Sequence, residues 1–194
     1  MGITKLSKSG FKSSSYEKYN DFLAGNTAFS PSSYESIATV TVGSGGTSTI
    51  SFTSIAADWT HLQLRGIVKN TSSAAFITWK FNSDSTGANY YNHRLYANGS
   101  IVGSYGQAGD SNGMFLTTAY PTYYTGIIVD ILDYKNTNKY KVFRNLAGWD
   151  GNGSGEVNFT SGLWQSTSAI TRIDLALSNF AEYSQFALYG IKGS

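Results

Sequence analysis

Residues 34–52, YESIATVTVGSGGTSTISF, decide the fold class. Two short runs, YESIATVTV and TSTISF, are rich in Thr, Val and Ile. They alternate apolar with polar side chains, the period of a strand with one covered face. The glycine-rich segment GSGG between them predicts a hairpin joining the two runs.

The same texture continues towards the C-terminus. In WTHLQLRGIVK (59–69), Trp59, His61, Gln63 and Arg65 share one parity and Leu62 and Leu64 the other. AAFITWKFN alternates again, and YYNHRLYANGSIVGSYG reads as two strands around Asn98-Gly99, a strong turn signal. Six further strand-like runs follow, from GMFLTTAYP to SQFALYGIKG, separated by the turn clusters KNTN, DGNGSG and SNFAEY. Both prolines, Pro31 and Pro121, fall outside apolar runs, and no window carries a sustained helical period. Eleven or twelve short, evenly spaced strands predict an all-β chain, a jelly-roll-like antiparallel β-sandwich over residues 34–194.

Upstream, residues 1–33 differ. KSGFKSSSYEKYNDFLAGNTAFS mixes serines and lysines with a recurrent aromatic, and SYEKYNDFLAG has length for one or two helical turns. Burying its large apolar side chains returns less than the entropy of fixing its backbone. Such a segment orders on a partner that also supplies backbone hydrogen bonds. The reading is an extended N-terminal arm whose Phe11, Tyr16, Tyr19, Phe22, Leu23 and Phe29 are partner-binding candidates.

Charge supports that division. The chain of 194 residues carries a formal net of +2, and residues 1–33 hold all of it through Lys5, Lys8, Lys12 and Lys18 against Glu17 and Asp21. The remainder is balanced and its charges are scattered, which argues against nucleic acid as a partner. With no cysteine there is no disulfide framework and no thiolate metal site. GIIVDIL is cut by Asp130, and the first residues lack a signal-peptide core, so neither a membrane partner nor general secretory export is expected.

No catalytic constellation stands out. His61 reads as a sheet histidine, and His93, beside Asn92 and Arg94, has no second histidine at ligand spacing, so no metal or other cofactor is expected. Asp130 and Asp133, three apart on a strand, point to opposite faces and do not form a glycosidase pair. Asp133 instead opens the turn DYKNTN. The glycine clusters VGSGGT and DGNGSGE lack the ending of a phosphate loop, and the sequons at Asn70, Asn98, Asn152 and Asn158 follow from an Asn/Ser/Thr-rich composition. Trp59, Trp79, Trp149 and Trp164 are read chiefly as core or interface residues. Trp149, in AGWDGNGSGE, is the tryptophan expected to be exposed, and with Asp150 and Asn152 it forms the candidate ligand or receptor loop.

The segments AFSPSSYESIATVTVGSGGTSTISFTSI, HLQLRGI, ILDYKNTNKYKVFRNLAGWD, GLWQSTSAITRI and FALYGIKG resemble those of virion structural proteins of tailed bacteriophages, cyanophage proteins included. The resemblance covers about residues 28–193 and carries no catalytic residues. It implies a place in the virion as a head-decoration (cement) protein or tail-fibre protein. Fibre relatives carry such a domain after long repeats or stalks, whereas only a short arm precedes it here, which favours a capsid decoration subunit. The resemblance further implies a homotrimer packed through aromatic sheet faces and contact with other virion proteins, the major capsid protein or a tail adaptor. The alternative is a receptor-binding tail module that recognises host surface glycan.

Overall fold

The computed structural model describes residues 33–109 and 113–193. Residues 1–32, with the arm candidates Phe11, Tyr16, Tyr19, Phe22, Leu23 and Phe29, lie outside the described residues.

Twelve strands follow one another: β1 (Tyr34–Thr41), β2 (Thr47–Phe52), β3 (His61–Val68), β4 (Ala75–Phe81), β5 (Tyr90–Ala97) and β6 (Val102–Ala108). Then come β7 (Met114–Ala119), β8 (Thr125–Leu132), β9 (Lys141–Asp150), β10 (Gly155–Trp164), β11 (Ile173–Phe180) and β12 (Gln185–Ile191). The one helical element among the described residues is a 3-10 turn at Gly87–Asn89.

Two antiparallel sheets pack as a sandwich. The large sheet has the order β1-β12-β3-β8-β9-β10-β5-β6 and the small one β2-β11-β4-β7. With the hairpins β5–β6 and β9–β10 set aside, the other eight strands pair from the chain ends inward: β1 with β12, β2 with β11, β3 with β8 and β4 with β7. This is the winding of a jelly roll. The two hairpins are additions, and both lengthen the large sheet at the side of β8.

The expected β1–β2 hairpin is not formed. The turn exists, with Gly46 N donating to Gly43 O at 3.2 Å, but it carries the chain from the large sheet to the small one. Glycines report that the chain reverses; which strand becomes the partner is decided by which apolar faces must meet. At Asn98-Gly99 the local signal is sufficient, because β5 and β6 do pair. Gly99 sits at φ +85° and the Asn98 side-chain oxygen accepts the Ser100 and Ile101 N–H groups.

Alternation places the core. Leu62 and Leu64 of β3 point inward and are fully buried while Gln63 and Arg65 point out, as their parity requires. Between the sheets Trp79 meets Phe81 and Phe143 edge-on, each at 4.8 Å between ring centres, and Phe81 meets Trp164 at 5.5 Å. Trp79 and Phe81 come from the small sheet, Phe143 and Trp164 from the added hairpin β9–β10, so these rings clamp the addition to the sandwich. Two of the four tryptophans are thus core residues.

Strand β7 borders the small sheet, yet all six of its residues are buried. Its outer carbonyls are met by side chains: Asn145 Nδ2 donates to Leu116 O at 2.5 Å and Thr125 Oγ1 to Thr118 O at 3.0 Å.

Gly162 of β10 lies beneath the Phe143 ring, and a Cβ there would fall 1.9 Å from two ring carbons. Overpacking at a buried, rigid neighbour costs about 1–3 kcal/mol. Gly162→Ala should lower the melting temperature by about 3–10 °C, read by differential scanning calorimetry, whereas Gly153→Ala, with no atom within 4 Å of its Cβ, should show only the smaller cost of its positive φ.

Candidate functional site: the outer face of the large sheet

The outward faces of the two sheets differ in chemistry. The small sheet shows the expected polar surface around Asp174, whose carboxylate takes Arg172 Nε at 2.8 Å and Ser51 Oγ at 2.6 Å. Lys80 pairs with Asp174 in register across the neighbouring strand.

The large sheet breaks that rule. Ile128 of β8, Leu146 of β9, Phe159 of β10 and Leu95 of β5 stand directly opposite one another on successive strands. They are 43, 51, 48 and 54 % exposed. The neighbouring row on the same face runs Ile67, Gly126, Gly148, Val157, Ala97 and Val102. Its two facing glycines carry no side chain, so the sheet sinks between Ile67 and Val157 into an open depression of about 900 Å³. Water gains nothing from such a surface, and contiguous exposed apolar area of this kind marks an interaction site. Towards β1 the face turns polar and aromatic: Tyr34 stacks on Tyr189 at 4.9 Å, Arg65 lies over both rings, and Gln63 donates to Asp130 at 2.7 Å.

The predicted ligand loop lies at one end of this depression. Trp149 and Asp150 line it; Asn152 sits beyond them in the β9–β10 turn at φ +51°. Asp150 is exposed, but Trp149 is half-buried rather than exposed. Its ring stacks on Tyr123 at 5.0 Å and leans on Tyr120 at 4.5 Å, and Gly151 lies close against the Tyr123 ring. The indole is therefore a corner post between β7, β8 and β9.

Of the titratable groups singled out from the sequence, His61, Asp130 and Asp133 have structural partners. His61 Nδ1 accepts the Asp133 N–H at 2.9 Å, and Asp133 is bound by Lys139 and opens the turn through Asn136 N, as its sequence context predicts. His93 is exposed on β5. Asn70 and Asn158, two of the four sequon asparagines, are fully buried. Among the described residues no group of three or more His, Cys, Asp or Glu gathers at metal-binding distance.

Two polar anchors escape a reading by motif. Lys141 is wholly buried, and its ammonium donates to the carbonyls of Asn136, Lys139 and Thr167 at 2.5–3.1 Å, tying the 133–139 turn to the β10–β11 connection. Burial pushes its amine below the ordinary lysine value, against the pull of Asp133. Asp84 accepts hydrogen bonds from Trp164 Nε1, Asn89 Nδ2 and Thr86 N, each at 2.8 Å. Burial raises this carboxyl, but the hydrogen bonds outweigh it and hold it below the ordinary carboxylate value.

The chain matches no protein-family model, no curated protein and no solved structure. The outer face therefore has to be interpreted from its own chemistry.

A carboxyl depressed in the folded state contributes stability that is present above its unfolded value, near pH 4, and is lost as the pH falls through the folded value. Asp84→Asn should cost about 1.5–3 kcal/mol at pH 7, since charge-assisted hydrogen bonds are lost. The gap between parent and variant in thermal melts should close below about pH 4. A gap unchanged at acid pH would contradict this account of Asp84.

Proposed function

We propose that the chain is a non-enzymatic structural protein of a tailed-phage virion, carried on the particle exterior as a capsid decoration subunit. Residues 1–33 act as its anchor, and the outer face of the large sheet as the surface that packs on neighbouring virion subunits, with three copies as the unit of assembly. The observation that carries this reading is the apolar row Ile128, Leu146, Phe159 and Leu95, four large side chains exposed side by side on one face, while the opposite face is polar around Lys80 and Asp174 apart from Phe76. A subunit that works by packing needs such a face; an isolated soluble domain bears it as a liability. The sequence resemblance to phage virion proteins supplies the setting. The alternative glycan-binding role is less well supported, because the Trp149 ring is already engaged by Tyr123 and Tyr120.

The test is incorporation. Leu146→Lys combined with Phe159→Glu places two opposite charges, facing each other across β9 and β10, in the row without touching the core. The pair should leave the melting temperature within about 3 °C of the parent and abolish incorporation into particles assembled in vitro or during infection. Normal occupancy of the variant on purified particles would overturn the proposal.

A further inference from the structure

A sheet edge presents unpaired N–H and C=O groups, and proteins guard such edges with charge, bulges, short strands or covering groups. Three of the four edge strands here carry such a guard. β1 contains Glu35 and a bulge at Ser36–Ala38. β2 is short, and the Thr47 hydroxyl bonds both the N–H and the C=O of Thr49. β7 is capped by Asn145 and Thr125.

Among the described residues the fourth, β6, carries none on its outward-facing positions. No charged residue or proline occurs between Arg94 and Asp110, and Val102, Ser104, Tyr105, Gly106 and Ala108 are all exposed. Its pairing with β5 runs without a register shift from Tyr91↔Ala108 to Ala97↔Val102.

The direction of its free groups can be worked out. Gly109 N donates to Tyr90 O and Asn98 N to Ile101 O, so the odd-numbered residues exchange hydrogen bonds with β5. In an antiparallel ladder alternate residues point the other way. Val102, Ser104, Gly106 and Ala108 therefore present their N–H and C=O groups outward.

We propose that β6 is a pairing site for the β6 of a second copy of this chain, antiparallel about a two-fold axis through Tyr105, so that two large sheets become one. Residues opposite each other in such a pair must share a face, which restricts the axis to a residue position. An axis at Tyr105 sets Val102 against Ala108 and Ser104 against Gly106. All four outward residues of each copy are then used, giving about eight backbone hydrogen bonds; an axis at Ser104 or Gly106 leaves one residue of each copy unpaired. The occupant is a second copy because an uncharged strand is compatible with itself. Tyr105 also meets its counterpart at the closer, non-hydrogen-bonded spacing, where aromatic pairs are favourable. The contact uses an edge and not the apolar face, so it stands or falls separately from the proposed virion role.

The lack of native cysteine allows a direct test on the full chain. At a non-hydrogen-bonded pair the Cα atoms lie about 4.5 Å apart, within disulfide reach. Across the same axis the two copies of residue 102 are six positions out of register, about 20 Å apart. Tyr105→Cys should give a covalent dimer on mild oxidation about tenfold faster than Val102→Cys at equal micromolar concentration, read on non-reducing gels. Adding Ser104→Pro to Tyr105→Cys removes one outward N–H without touching the β5 ladder. It should bring the rate down to that of Val102→Cys, with circular dichroism confirming an intact fold. Equal rates for the two cysteine variants, no crosslinking by either, or a rate unaffected by Ser104→Pro would each overturn the pairing.

Discussion

Four rings hold this molecule to its plan. Trp79 and Phe81 of the small sheet meet Phe143 and Trp164 of the large one edge to face, and the second pair belongs to a hairpin outside the jelly-roll winding. Without that contact β9 and β10 would be held to the small sheet chiefly by polar links such as Asn145 to Leu116 O, and β5 and β6, which hang on β10, would lose support. The aromatic contact thus turns a jelly roll with loose flaps into a sandwich with one broad, stiff sheet. Gly162 is part of the same device, since only a residue without Cβ lets the Phe143 ring lie flat across β10.

That breadth creates the surface features of interest. Of the apolar row on the outer face, Leu146, Phe159 and Leu95 sit on added strands, and the exposed edge β6 belongs to an added hairpin. The additions supply little of the core beyond the ring cluster and much of the surface that invites contact. On the polar side, the buried Lys141 and the half-buried Asp84 anchor connecting segments by saturating backbone and indole groups.

Alternation made the strands, the two-layer class and the parity of Leu62 and Leu64 legible in the sequence, because period-two burial is a local property. Strand partners were not legible. GSGG looks like a hairpin loop and serves as a passage between sheets, since the competing partners β12 and β11 lie more than a hundred residues away. The half-burial of Trp149 has a related cause: its glycine-rich neighbours suggest a loop tip, but Tyr120 and Tyr123 arrive from a distant segment to cover its ring. The outer apolar row had one local sign, the run GIIVDIL. A strand apolar at both parities has something to hide on each side, and here Ile127 and Val129 face the core while Ile128 does not.

The pairing of the chain from its ends inward also governs how the molecule can be made. β1, residues 34–41, pairs among the described residues with β12, residues 185–191, the last of the twelve strands in chain order. At ribosomal rates the first strand waits about 10–30 s for that partner. The hairpins β5–β6 and β9–β10 are complete soon after they emerge, but neither sheet gains its first strand before β11 and β12 have been made. The nascent, β-branched β1 must therefore be kept from other partners until β12 has been made.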